Sequence, residues 1–189
     1  MNLLVVAEQP GQSGPYIKAA CRGGWRIACE ASYEQLPSLL TDVQAEAAVL
    51  IAARVDEVVL KSVRMLNGSL PMPVVLYTDD SLQHSIRAAV TAGVSVYAVD
   101  CHNVKRIGAL LDVAIIRFRE SQELKKELQK AKTTLAERSA VEKAKGIIMR
   151  QRQVNEDTAY QLLRKLAMDR NRRIGEVAGE VLAAAEVLI

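Results

Sequence analysis

Ala48-Val49-Leu50-Ile51-Ala52 is an unbroken apolar run, too short for an ordinary helix and without the alternation of a half-exposed strand. It reads as a strand buried on both faces. Leu3-Leu4-Val5-Val6-Ala7 and Trp25-Arg26-Ile27-Ala28-Cys29 precede it. Val74-Val75-Leu76-Tyr77 and Val94-Ser95-Val96-Tyr97-Ala98-Val99 follow it. Between these runs the pattern becomes amphipathic, which predicts helices near 13–23, 33–43, 56–66 and 81–91. The last closes before Gly93, where a C-terminal glycine belongs. Strands alternating with helices predict an α/β fold: a five-stranded, doubly wound parallel sheet with helices on both faces. In that architecture ligand chemistry sits at the carboxyl ends of the strands.

Beyond the fifth run, turn residues almost vanish from Val104 through Ala136. The pattern predicts one long helix over about 104–137, roughly 50 Å at 1.5 Å per residue. Ile107, Leu111, Ala114 and Phe118 are spaced by four, three and four, and Leu124, Leu128, Ala131 and Leu135 repeat that spacing. This is a coiled-coil seam with a discontinuity around Ser121. Its first part can pack on the sheet domain as a fifth helix. Its second part predicts a homodimer, with Leu124, Leu128 and Leu135, and Phe118 from the end of the first part, as the dimerisation residues; the alternative is a helix docked on its own domain.

The terminal region predicts three helices, about 138–152, 156–170 and 173–187. Asn155 suits the cap of the second, with Glu156 and Asp157 in its first turn. Ala159, Leu162, Leu163 and Leu166 form an inward stripe there, matched by Val141, Ala144, Ile148 and Met149 on the first helix. The formal charge of the 189-residue chain is only +3, but its distribution is uneven. Residues 1–137 hold 15 basic and 15 acidic side chains, whereas 138–173 hold 10 against 4. A basic surplus on so compact a unit points to an anionic polymer as partner.

Several classes are disfavoured. Cys21, Cys29 and Cys101 have neither zinc-site nor disulfide-framework spacing, and predict reduced thiols. No basic leader precedes an apolar run and no segment is long and apolar enough to cross a bilayer, so the expectation is a soluble, unprocessed, cytoplasmic protein. His84 and His102 are the two histidines. Neither lies in a nucleophile–base motif, and no glycine-rich phosphate loop follows a strand, so no catalytic residue, metal or cofactor is assigned. Cys101-His102 lacks the companion ligands of a metal site.

The order and spacing of residues 1–120 resemble the receiver domain of two-component response regulators. Receivers hold magnesium with an acidic pair after strand 1 and an aspartate after strand 3, phosphorylate that aspartate, and read the phosphate with a hydroxyl and a lysine. The matching positions here are Ala7 and Glu8, then Ala52, Thr78 and Asp100, with Tyr97 at the position of the switch aromatic. One carboxylate, no nucleophile and an acid in place of the lysine imply a degenerate site, a pseudo-receiver. Asp56, just beyond strand 3, fits helix-start chemistry better than phosphate acceptance, and Asp79 and Asp80 are read the same way.

Ala144-Lys145-Gly146, Met149, Ala159-Tyr160, Leu163-Arg164, Ala167-Met168 and Ala178 resemble the ANTAR domain, the three-helix RNA-binding module of bacterial antiterminators, placed here at 138–189. With a pseudo-receiver and an intervening coiled coil, the chain is similar to the AmiR/NasT group, nearest to its NasT branch of nitrate/nitrite assimilation regulators. That resemblance implies capture of paired stem-loops in leader mRNA, which prevents the overlapping terminator. It also implies restraint by a NasS-like nitrate/nitrite sensor protein. The RNA-contact candidates are Lys145, Arg164, Arg172 and Arg173, then Arg150, Arg152 and Lys165, with Tyr160 packing at a loop base. A DNA-binding response regulator and a non-catalytic signalling adaptor are the competing readings.

Overall fold

In the computed structural model, which describes residues 1–9, 11–99 and 104–187, the short apolar runs form the strands β1 (Asn2–Ala7), β2 (Arg26–Ser32), β3 (Ala47–Ala52), β4 (Val74–Thr78) and β5 (Val96–Val99). All pair in parallel, in the order β2-β1-β3-β4-β5. The order reverses between β1 and β3, so the sheet opens its ligand cleft at their carboxyl ends. Successive residues of a strand face opposite ways, and each central strand therefore feeds two cores. Leu3, Val5, Val49, Ile51, Val75 and Tyr77 point to one, with Ile107, Leu111 and Ala114. Leu4, Val6, Leu50, Leu76, Val59 and Leu66 fill the other.

The connecting helices are α1 (Gly14–Arg22), α2 (Leu36–Leu39), α3 (Glu57–Ser69) and α4 (Gln83–Ala92). Asp56 is the N-cap of α3, its Oδ1 accepting the Val59 N–H at 2.9 Å, as its place in the sequence suggested. Gly93 ends α4 in the left-handed region at φ 111°. A Cβ there would lie 2.1 Å from Asn67 Nδ2, and that amide donates to the carbonyls of Ala92 and Gly93 at 3.1 and 3.3 Å. Glycine is required on both counts. The expected helix at 33–43 shrinks to four residues, Leu36–Leu39, with Pro37 in its first turn.

After a 3₁₀ turn at Val104–Arg106, α5 runs without interruption from Ile107 to Arg152. The break expected between a linker helix ending near 137 and a separate helix from 138 is absent. No proline lies in that span, and its glycines are Gly108 and Gly146. The chain divides into two compact units, Met1–Gln122 and Glu123–Ile189. Ile107, Leu111 and Ala114 are fully buried in the first, the fifth-helix packing that their spacing predicted. Phe118 is half-buried, whereas Leu124, Leu128 and Leu135 are 68%, 53% and 70% exposed. The second unit adds α6 (Glu156–Asp169) and α7 (Ile174–Val187).

Candidate nucleic-acid interface

The carboxyl ends of the strands hold no phosphorylation machinery among the described residues. Ala52 ends β3 with a buried methyl group. Glu8 accepts the Ala53 N–H at 3.1 Å. The buried Thr78 hydroxyl donates to the Ala53 carbonyl at 3.2 Å and accepts the Asp80 N–H at 3.1 Å. Tyr97 donates to the Asp80 carbonyl at 2.6 Å, and burial pushes its phenol up to about 12. The Ser85 hydroxyl and the Leu82 N–H hold the Asp80 carboxyl below its ordinary range. Asp80 thus orders the loop before α4. Asp100, Cys101 and His102 lie outside the described residues.

A cleft of about 850 Å³ beside this network is lined by Glu8, Glu30, Glu34 and Asp56, with Ser13 bonded to Glu30. The receiver fold implies magnesium and a phosphoryl group, but these residues do not fit them. The strand-3 position has no oxygen to accept phosphate, and the strand-1 pair offers one carboxylate already engaged by a backbone amide. A hard dication needs several convergent oxygens, and no cluster of three or more metal-ligating side chains occurs among the described residues.

The second unit is built from small side chains. Ala144, Leu163, Ala167, Val177 and Ala178 form its buried centre, surrounded by Ala140, Val141, Ile148, Leu166, Ile174, Val181 and Leu182. Alanines at these contacts let three helices approach closely. Asn155 caps α6 by accepting the Thr158 N–H at 2.9 Å. Gln153 and Asn171 take positive φ, 54° and 49°, at the two interhelical turns. Ala159, Leu163 and Leu166 face inward as expected, with Ala167 as an additional buried member, whereas Leu162 and Met149 are only half-buried and lie outside this core.

The basic residues fall into two groups. Lys145 is only 8% exposed, and its ammonium bridges Glu142 at 2.8 Å and Glu156 at 2.6 Å. Those carboxylates, Glu142 first, raise its pKa, and Lys145 in turn lowers that of Glu156. Lys145 therefore ties α5 to the first turn of α6, where an outward-reaching cation was expected. Arg172 donates to Glu176 at 3.0 Å and to Glu180, which also accepts from Arg170 at 2.6 Å. Arg173 approaches Glu137 at 3.9 Å, and Arg150 donates to the Gly146 carbonyl at 3.2 Å. The surplus counted along 138–173 is thus partly neutralised in space.

Arg152, Arg164 and Lys165 are exposed and make no ion pair among the described residues. Tyr160, Arg164 and Met168 recur every fourth residue along one face of α6, with Tyr160 41% and Met168 71% exposed. A bare methionine beside an arginine and an aromatic ring is the feature that site reasoning from sequence passed over. The signal was present: Met168 lies one turn beyond Arg164, opposite the inward stripe.

Residues 129–182 match the ANTAR domain family. Over 73 residues, 39% of this chain, the sequence is 40% identical to a nitrate regulatory protein of Klebsiella oxytoca. Over 113 residues, 58% of this chain, it is 30% identical to the transcriptional regulatory protein PdtaR of Mycobacterium tuberculosis. The matched stretches span 18% and 55% of those proteins. In fold, a CheY-like receiver domain from Methanospirillum hungatei superposes with a TM-score of 0.55 at 11% identity, covering 64% of this chain and 97% of that one. An atypical orphan response regulator with a phosphorylation-independent regulatory mechanism gives 0.52 at 15% identity, with 61% and 95% covered. The matched proteins are regulators, and no helix among the described residues is long and apolar enough to cross a membrane. Residues 129–182 are thus similar to the ANTAR domain, and they follow a unit with the receiver fold.

Proposed function

We propose that this protein is a transcription antiterminator that binds stem-loop leader RNA through its C-terminal unit. The observation that carries the reading is the face of α6. Tyr160 and Met168 offer flat and flexible apolar surface to unstacked bases, and Arg164, flanked by Lys165, supplies charge without a competing carboxylate. Sequence in RNA is read chiefly in splayed loops, by stacking together with cationic contacts to phosphate. Arg150, Arg152 and Arg173 extend the cationic surface. Lys145 and Arg172 support it from within their ion pairs.

Binding of the paired stem-loops would prevent the overlapping terminator from forming. The exposed leucines of α5 support a homodimer in the RNA-bound state. A receiver fold without phosphoryl chemistry suits a docking surface, and the similarity to a nitrate regulatory protein supports nitrate or nitrite as the signal. On this reading a NasS-like sensor sequesters the protein and releases it on binding nitrate or nitrite. A sensor complex indifferent to both anions refutes that signal. The RNA reading is tested with a two-stem-loop leader, its loop-scrambled form and duplex DNA across a salt series. Loop-dependent retention is expected. Equal binding to all three, or to none, returns the chain to the DNA-regulator or adaptor readings.

A further inference from the structure

Glu176 and Glu180 lie one turn apart on α7, and both reach the turn that joins α6 to α7. That turn is fixed by its own backbone. The N–H groups of Arg170, Asn171 and Arg172 donate to the carbonyls of Leu166, Met168 and Ala167 at 3.2, 3.1 and 2.9 Å, and Asn171 takes φ 49°. Arg170 and Arg172 are thereby held on either side of Asn171, and Glu180 takes one with each oxygen. Its Oε2 accepts from Arg170 Nη1 at 2.6 Å and its Oε1 from Arg172 Nη1, while Glu176 accepts from Arg172 Nε at 3.0 Å. Two cations and two anions cancel here, yet each guanidinium has more N–H donors than these bonds use. We infer that Glu180 is a specificity-determining residue for RNA: it screens Arg170 and Arg172 from polyanions in general and yields them to a phosphate that loop capture on α6 has already brought beside them.

Exposure separates this cluster from the Lys145 tie. The Lys145 side chain is 10% exposed, so opening its pairs strands a charge. Arg170, Arg172 and Glu180 are 51%, 44% and 39% exposed, and ion pairs so wet are weak and open readily. A polyanion arriving from solution must displace the carboxylate unaided. A phosphate belonging to a loop already held by Tyr160 and Arg164 competes at a high local concentration instead. Met168 ends the α6 face two residues before Arg170, so a strand lying along that face arrives at the turn. Arg152, Arg164 and Lys165, without carboxylate partners among the described residues, supply the general attraction. The turn adds discrimination by withholding charge from the wrong ligand.

This inference rests on the RNA reading, and heparin, a polyanion without sequence, separates the two. Binding of the 189-residue chain and of its Glu180→Gln variant is measured on a two-stem-loop RNA, its loop-scrambled form and heparin across a salt series. Glu180→Gln is expected to bind heparin and scrambled RNA about five-fold more tightly, with a salt slope on scrambled RNA steeper by about 0.7–0.9. The looped RNA should change less than about two-fold, so discrimination falls. Adding Arg170→Gln and Arg172→Gln should abolish the gain. Unchanged binding of heparin and scrambled RNA, or an equal gain on all three ligands, overturns the inference. So does a gain that persists in the triple variant, since it then follows net charge alone. No preference of the unaltered chain for looped RNA refutes the RNA reading and with it selection by Glu180, and a heparin gain in that case still establishes the screening. Amide protection of α7 is followed in each variant. If Glu180→Gln lowers it, Glu180→Asp, which keeps the charge but shortens its reach by a methylene, takes its place with the same directions expected.

Discussion

Two glycines of α7 respond in opposite directions to the same substitution. At Gly179 no atom lies within 4 Å of the place a Cβ would occupy, so Gly179→Ala adds helix propensity in a helix interior and stabilises by about 1 kcal/mol. At Gly175 a Cβ would lie 2.6 Å from Glu137 Cγ and 2.7 Å from Glu137 Cβ. The Cγ can swing aside by a change of rotamer, but the Cβ is fixed to the backbone of α5, so the helices must separate. Overpacking of this kind costs about 1–3 kcal/mol, and Gly175, in the first turn of α7, recovers little propensity. The Gly175→Ala variant is therefore expected to be the less stable by about 2–4 kcal/mol. Because the two units need not unfold together, the measurement is amide hydrogen exchange of α6 and α7 in the 189-residue chain. Protection should rise about five-fold in Gly179→Ala and fall in Gly175→Ala. Glu137→Ala, which keeps the Cβ, should not rescue the latter. Equal protection in the two variants, or greater protection in Gly175→Ala, refutes the close approach as the reason for glycine at 175.

Arg164→Ala should weaken RNA binding and reduce the salt slope by about 0.7–0.9, as read from filter retention across a salt series; an unchanged slope removes Arg164 from the phosphate contacts. Tyr160→Ala should cost about 1–3 kcal/mol for loop-bearing RNA and little for duplex, and an equal loss on both argues for a packing role. Lys145→Met and Glu156→Gln should lower amide protection at the start of α6 to the same degree. A fall in RNA binding for Lys145→Met with protection intact would make Lys145 a direct contact instead. Because the folded Glu156 pKa is lowered, its contribution is present above the ordinary value of 4.5 and is lost as pH falls through the lowered one. The raised Lys145 pKa places the opposite limit above 10.5, so protection at the α5–α6 tie should hold across neutral pH and fall in acid. Incubation with a small phosphodonor and magnesium should leave the intact mass unchanged, and an adduct on Asp56 would overturn the pseudo-receiver reading.

The sheet was legible because strands buried on both faces leave continuous apolar runs, and Gly93 marked a helix end that only glycine could make. The length of α2 was not legible, since residues 33–43 carry an amphipathic pattern whose expression depends on how the loop packs. The seam of α5 was readable from spacing, but its continuity through Arg138 was not: a change of partner surface along one helix looks, in sequence, like a change of element. Charge was the weakest guide. Lys145 and Arg172 are cations like Arg164, and what distinguishes them is whether a glutamate from another turn or helix lies within reach. Met168, named in the motif, was left out of the contact candidates for the converse reason: an apolar residue is assigned to a core by default.

The exposed leucines of α5 also bear on the lifetime of the protein. Backbone hydrogen bonds in a helix stretch that packs against nothing are protected only by the helix itself, and such stretches open at little cost. Lys125, Lys126, Lys130 and Lys132 lie in that stretch, so an unassociated chain offers proteases an accessible site midway along α5. Association through the leucines would close it. Limited trypsin digestion should then cut the free chain between 125 and 132 and spare the assembled one, linking abundance to assembly state.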